Sequence, residues 1–344
     1  MAGKAEKRLF LGLDTSAYTT SLALVDQTER LIWEKRLPLP VGEGELGLRQ
    51  SVAVFAHLQN LPRLWAEGSQ NLKSASLVAV AAASTPRPEE SSYMPVFKVS
   101  EAFGLFLAQT LGLVFMPFSH QEGHITAGLW SAGLPPGRYL VLHLSGGTTE
   151  FLAVEEGPSG QLKIERVGGS ADLKAGQFID RIGVALGLAF PAGPSLEELA
   201  RRGKTGAVIL PVAVKKAALS FSGPASHAGR LLERGCAAAD LARAVEVCIA
   251  DSLVAAVNGL AGLGGFDSIM VVGGVAADAF IRARLQCGIQ ALPLHFASPQ
   301  FAGDNAVGLA VQAARQWETV KKRQAFVNVK GKSVKNGEHR EKPV

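Results

Sequence analysis

The chain has little cysteine: three residues in 344, Cys236, Cys248 and Cys287, scattered and odd in number. That excludes a disulfide frame and a cysteine metal cluster, and reads as small core residues in a reducing compartment. No apolar run reaches the length of a membrane span. The N-terminal stretch MAGKAEKRLFLGL lacks the apolar core and cleavage site of a signal peptide. The expectation is a cytoplasmic protein with no membrane partner. Aromatics are sparse at 7%, whereas glycine numbers 38, which suits tight strand-to-turn junctions and close helix–sheet packing. With 47% hydrophobic residues the chain can bury a large core in two lobes.

The body also lacks an excess of either charge. The formal net charge is +5, but residues 321–344 carry eight Lys or Arg against two Glu, so the rest of the chain stands at −1. This tail has little periodicity and few large apolar residues, which predicts disorder. It fits either a phosphate-binding extension for a polyanion such as RNA or a solubilising end with no partner.

Two segments share one plan. RLFLGLDTSAYTTSLALVD runs strand, short polar turn, strand, and RYLVLHLSGGTTEFLAVEEG repeats it around Ser145-Gly146-Gly147-Thr148-Thr149. Each is followed by a helical pattern and another apolar strand, SLVAVAAAS in the first half and SIMVVGGVA in the second. Such a repeat predicts a duplicated α/β lobe with a cleft between the copies. Gly146 and Gly147 let backbone approach an anion and offer N–H donors. VVGGVAAD opens a buried strand through Gly273-Gly274 into a helix, a junction suited to a nucleotide. Taken together, the two hairpins and the late glycine pair resemble the actin, Hsp70 and sugar-kinase ATPase fold. The implied organisation is a first lobe over 8–135, a second over 136–320 with its C-terminal helix free to pack back on the first, and the basic tail over 321–344.

In MPFSHQEGHITAGLW, His120 and His124 stand four residues apart with Glu122 between them. At that spacing both imidazoles project from one helix face and can meet one ion, or they can simply line a helix start. The order is not H-E-x-x-H, since Gln121 holds the place of the catalytic Glu, so a zinc-protease helix is disfavoured. A third ligand has to come from elsewhere in the chain.

Several segments resemble, in order, the TsaD family, formerly the glycoprotease family, whose members transfer a threonylcarbamoyl group to N6 of adenosine 37 in tRNA. These are LGLDTS, SHQEGH, LHLSGGTTE, AGQFIDRIGVALGLAFPAGPSLEELA, LSFSGPASHA, VVGGVAAD and GDNAVGLA. The resemblance implies an acyltransferase acting on tRNA. It implies one divalent metal, Fe2+ or Zn2+, on His120, His124 and Asp304, a set of two His and one carboxylate that leaves positions open for substrate oxygens. Glu122 would then orient a histidine or brace the helix. The resemblance also places threonylcarbamoyl-AMP or another adenine nucleotide between the lobes. Leu144, Ser145, Gly146, Gly147 and Thr148 would lie at its phosphate and Asp180 at the ribose. Gly193 and Glu197 would lie at the nucleoside, and Gly273, Gly274 and Asp278 near the adenine. His143 is read as a structural strand residue outside the metal motif. No catalytic residue is assigned.

The sequence departs from the family pattern on the acceptor side. Ala17-Tyr18-Thr19 replaces C-D-E, Thr148 a His, Ala225 a Lys and Asp278 an Asn. A Pro-rich segment, STPRPEESSYMPVF, replaces a glycine-rich loop. Loss of charge where an amine must attack leaves an alternative open: a nucleotide-binding scaffold that dimerises with a TsaD- or TsaB-like partner. The partners implied are tRNA and a TsaB-like protein or a second copy.

Overall fold

The computed structural model describes residues 7–42, 44–260 and 263–335, with side chains not described at Ser74, Leu263 and 323–335. Two sheets form its framework. The first contains β1 (Arg8–Thr15), β2 (Thr19–Asp26), β3 (Leu31–Pro38), β4 (Ser76–Thr85) and β5 (Val114–Ser119), ordered β3-β2-β1-β4-β5. The second contains β6 (Arg138–Leu144), β7 (Thr149–Glu156), β8 (Leu162–Ser170), the two-residue strands β9 (Val214–Lys215) and β10 (Ala218–Leu219), β11 (Ser268–Val272) and β12 (Leu294–Phe296). Its order is β12-β11-β6-β7-β8-β10-β9. Setting aside β9 and β10, the two orders are the same. Each begins with an antiparallel pair, β1 with β2 and β6 with β7, and extends by parallel strands, β4 then β5 and β11 then β12. The duplicated lobe expected from the two hairpins is present.

The helices are α1 (Gln50–Gly68), α2 (Phe97–Leu111), α3 (His120–Ser131), α4 (Ala175–Ala185), α5 (Gly193–Ala200), α6 (Ser222–Glu233), α7 (Ala238–Asn258), α8 (Ala279–Gly288), α9 (Pro299–Ala302) and α10 (Val307–Lys335). Strand alternation sorts them into layers. Leu9, Leu11 and Leu13 of β1 pack with Leu61 and Leu64 of α1 and Val99 and Ala108 of α2. Phe10, between them, points the other way and packs with Val307, Ala310 and Trp317 of α10. In the second lobe Leu140, Leu142 and Leu144 of β6 join α4 and α7, while Tyr139 and Val141 join Ile125 and Leu129 of α3. Helix α3 therefore lies between the sheets, with Ala127 in the first lobe's core and Ile125 and Leu129 in the second's.

Three glycines make that placement possible. A Cβ on Gly128 would stand 2.4 Å from Val272 Cγ1, and one on Gly308 would stand 1.9 Å from Gly123 O, so α3 crosses α10 backbone to backbone. A Cβ on Gly12 would stand 2.3 Å from Ala306 O, which brings the start of α10 against β1. No helix of the described residues is long and apolar enough to cross a membrane. Where the tail was expected to be irregular from Lys321, α10 is drawn on to Lys335, and residues 336–344 lie outside the described residues.

Candidate active site

The two histidines of α3 face one carboxylate. His124 Nε2 lies 3.1 Å from His120 Nε2 and 3.2 Å from Asp304 Oδ1, and His120 Nε2 lies 3.6 Å from the same oxygen. Ligand atoms roughly 2.1 Å from one ion sit about 3.0–3.4 Å apart, so the trio fits a divalent metal in spacing and donor type. Local sequence builds it. Ser119 caps α3: its backbone N–H and hydroxyl donate to Glu122 Oε2 at 2.6 and 2.7 Å, and Glu122 N donates to Ser119 Oγ at 3.2 Å. This capping box fixes the first turn, which carries His120. Glu122 thus braces the helix. Asn305 starts α10, accepting from Val307 N at 3.0 Å and donating to Gly303 O at 2.8 Å, and so sets Asp304 at the mouth of the cleft.

Sequence reasoning missed the residues behind the trio. Asp14, 2% exposed at the end of β1, accepts from His120 Nδ1 at 2.6 Å and thereby aims Nε2 at the other two groups. Ser16 Oγ donates to Asp304 Oδ2 at 2.5 Å. Buried His57 lies 2.9 Å from Ser16 O through Nε2 and 2.8 Å from Thr20 Oγ1 through Nδ1. A carbonyl can only accept, so Nε2 carries the proton and the Thr20 hydroxyl donates. The signal for Asp14 was present, as an acid ending an otherwise apolar strand. Burial alone would lower the pKa of His120, but Asp14 and then Asp304 raise it to about 9. Burial would raise Asp304, yet His124, His120 and Ser16 hold it well below the usual carboxylate range.

His120 and Asp304 border a cleft of about 540 Å³, within the range of small-molecule sites. Ser145, Gly146, Gly147, Thr148 and Asp180 line it with His120 and Asp304. A Cβ added to Gly146 or Gly147 would meet nothing within 4 Å, so the turn opens on free space. Ser145 N is already engaged with Thr148 O at 2.8 Å and is therefore not free for a ligand. Thr149 Oγ1 accepts from Ala175 N at 2.8 Å, seating the start of α4 beside the turn. Asp180 accepts from Ala192 N at 2.8 Å, and burial raises its pKa.

The other expected residues do not line this cleft. The Leu144 side chain is fully buried in the core. Gly273, at φ +96°, abuts the Leu144 backbone: a Cβ there would stand 2.2 Å from Leu144 O. Gly274 faces open space, and Gly193 begins α5. Asp278 caps α8 by accepting from Ile281 N at 2.8 Å, and Glu197 accepts from Ala279 N at 3.3 Å. Both stand near buried Glu246, which accepts from Arg243 at 2.6 Å. Among the altered positions, Ala17, Tyr18 and Thr148 line the cleft, whereas Ala225 is buried in the second lobe's core. Tyr18 meets Phe190 of the second lobe edge to face at 5.1 Å, and burial, Asp180 and Asp304 raise its pKa. Arg87, in the Pro-rich segment, also lines the cleft. It donates to buried Glu150 through Nη2 at 2.9 Å, and Gln121 Nε2 donates to Glu150 at 2.9 Å.

Residues 51–311 match the family model for TsaD, the tRNA N6-adenosine threonylcarbamoyltransferases. The chain is 32% identical over 290 residues to the protein of that description from Prochlorococcus marinus strain MIT 9303, covering 78% of each. It is 31% identical over 314 residues to a Thermus thermophilus protein of that description, covering 89% of this chain and 92% of that one. Among solved structures, the (R)-2-hydroxyglutaryl-CoA dehydratase component A of Acidaminococcus fermentans superposes with a TM-score of 0.55 at 12% identity, over 90% of this chain and 98% of that one. That likeness shows the fold, which is of the actin, Hsp70 and sugar-kinase class.

Proposed function

The chain belongs to the TsaD family, and on that premise we propose that it transfers a threonylcarbamoyl group from threonylcarbamoyl-AMP to N6 of adenosine 37 in tRNA. The observation that carries this reading is that the His120, His124 and Asp304 trio opens, through His120 and Asp304, on the same cleft as the Ser145–Thr148 turn. In the reaction N6 attacks the carbamoyl carbon, the bond from that carbon to the phosphate oxygen breaks, AMP leaves with that oxygen, and N6 gives up one proton to solvent. Gly146 and Gly147 would donate backbone hydrogen bonds to the phosphate and to charge developing on it. Asp180 would meet the ribose. Gly193, Glu197, Gly273, Gly274 and Asp278 would shape the adenosine end from behind the turn. Fe2+ or Zn2+ on the trio would polarise a substrate oxygen.

A partner has a place on this reading. The outer face of α1 and α2 exposes Phe55, Leu58 and Phe106, with Tyr93 beside them. Phe106 is 68% exposed and Phe55 64%, which supports docking of a TsaB-like protein or a second copy. The deciding experiment incubates the metal-loaded protein, alone and with such a partner, with threonylcarbamoyl-AMP and tRNA, and measures modified adenosine by mass spectrometry. Product above background is expected. Nucleotide binding without product, even with partner present and acids restored at Tyr18 and Thr19, would favour the scaffold instead.

A further inference from the structure

The first lobe's side of the cleft has a wall that the roles given above leave unused. Tyr18, Leu46 and Gln50 line it, and Phe190 of the second lobe meets Tyr18 edge to face. Gln50 is the first residue of α1, and its Oε1 is buried with no hydrogen-bond partner among the described residues. Buried acceptors almost always have a partner, so an unpaired one in the wall of a cleft points to a ligand. Leucine would fill the place with no polar group to satisfy. The Tyr18 ring is firmly placed. Its carbonyl accepts from Leu39 N at 2.7 Å. Ser16, two residues earlier, donates to Asp304 through Oγ and accepts from His57 through its carbonyl, which sets the turn beside the trio. The chain at Gly47 runs so close that a Cβ there would stand 2.7 Å from the Tyr18 hydroxyl, so the segment carrying Leu46 and Gln50 lies against the ring. The chemistry of this wall selects its occupant. Two aromatic rings and a leucine offer flat apolar surface, and one amide offers a neutral acceptor. A charged amine would call for a carboxylate, yet Tyr18 and Thr19 stand where the family pattern has acids. A planar, uncharged heterocycle with an amino group fits instead. Unstacked RNA bases are taken up in this way, on aromatic rings and through hydrogen bonds to the base edge.

We propose that Tyr18, Phe190 and Gln50 form the seat of the acceptor adenine, with the base against the two rings and Gln50 Oε1 accepting one hydrogen of its N6 amine. The assignment rests on the reaction proposed above, which gives the second-lobe end of the cleft to the donor's adenosine and leaves this wall to the acceptor. With one N6 hydrogen on Gln50, the lone pair stays free to attack the carbamoyl carbon, and the other hydrogen is the proton that leaves to solvent. Gln50 orients the nucleophile and takes no proton itself.

The test uses the full-length, metal-loaded protein and two labelled anticodon stem-loop RNAs that differ only at position 37. One carries adenosine there, the other purine riboside, which lacks the amine. Fluorescence anisotropy measures both affinities, and AMP affinity and melting temperature are read alongside. The parent should bind the adenosine RNA about fivefold more tightly, the effect of one hydrogen bond. Gln50→Leu should erase that preference while melting no lower and keeping the parent's affinity for AMP. Gln50→Glu, which keeps an acceptor in the same place, should restore the preference. Tyr18→Ala should weaken both RNAs alike, by about tenfold, since stacking does not read the amine. Equal affinity for the two RNAs in the parent, an undiminished preference in Gln50→Leu, or parental RNA binding by Tyr18→Ala overturns this inference and leaves the proposed reaction standing. A loss of AMP affinity in Gln50→Leu as large as its loss of RNA affinity overturns it in favour of the donor's adenine on this wall. A Gln50-dependent preference without any modified adenosine in the mass-spectrometric assay supports the seat and sinks the proposed reaction. A parent that binds neither RNA overturns both.

Discussion

At the residue scale, the chemistry sits on side chains whose partners are far away in sequence. His120 and His124 are visible as a pair, but what makes them a site is Asp14, 106 positions before His120, and Asp304, 180 positions after His124. Asp14 orients rather than ligates. Asp14→Asn should keep the fold and weaken metal binding roughly tenfold or more, as loss of a residue behind a ligand generally does. Competition against a chelator measures it, and unchanged affinity would remove Asp14 from the centre. A second buried acid makes a prediction of its own. Burial first, then the charge of Asp278, pushes Glu246 up to about 9 despite Arg243 beside it. An unfolded glutamic acid releases its proton near 4.5. Between about 4.5 and 9 the folded protein therefore holds a proton that the unfolded chain has released, and stability falls as pH rises through that window. Glu246→Gln cannot ionise. Its melting temperature, followed from pH 5 to 9, should fall less steeply than the parent's. Parallel curves would mean that Glu246 is ionised in the fold.

At the element scale, the short helix α3 governs the site, and its sequence explains how. The capping box at Ser119 starts it, and Gly123 and Gly128 let it lie between α10 and the second sheet. Ser119→Ala should cost about 1 kcal/mol in denaturant unfolding, the usual loss for an N-cap. Gly308→Ala should cost more, on the order of 2–3 kcal/mol, since backbone rather than a flexible side chain stands in the way of the new methyl. If the order of the two were reversed, the close crossing of α3 and α10 would not be the stricter constraint. The same elements show what was legible in the sequence. Period-two strands and the repeated hairpin plan showed two similar lobes, because alternation and turns are local signals. Which face of β6 met α3, and that the Ser145 N–H was already engaged with Thr148 O, were not legible, because each depends on the register of distant segments. The altered positions illustrate the limit. Tyr18 and Ala225 look alike as lost charges, yet one lines the cleft and the other is core.

At the scale of the whole molecule, the two lobes are tied by buried carboxylates of the second sheet. Glu156, 5% exposed on β7, accepts from Arg315 of α10, which also holds Glu29 of the first lobe at 2.8 Å. Glu150, 4% exposed on the same strand, draws in Arg87 and Gln121, both from the first lobe and both in the wall of the cleft. The first tie is backed by the packing of α10 on β1, whereas the second stands behind two residues of the cleft wall, Arg87 and Gln121. Glu150 therefore helps to hold the Pro-rich segment at the cleft, beside the bond of 3.1 Å from Gln121 N to Pro86 O. Glu150→Ala frees Gln121 and lets Arg87, already 32% exposed, turn to water. The change should destabilise the protein only by about 1–3 kcal/mol. It should speed amide exchange selectively in residues 86–95 and at the start of α3. It should also weaken nucleotide binding, because Arg87 and Gln121 of the cleft wall lose their buried anchor. Hydrogen exchange with and without AMP distinguishes this from general loosening. A uniform rise across both sheets, or exchange in 86–95 equal to the parent's, would show that Glu150 is an ordinary buried acid and that α3 and α10 hold the lobes together without it.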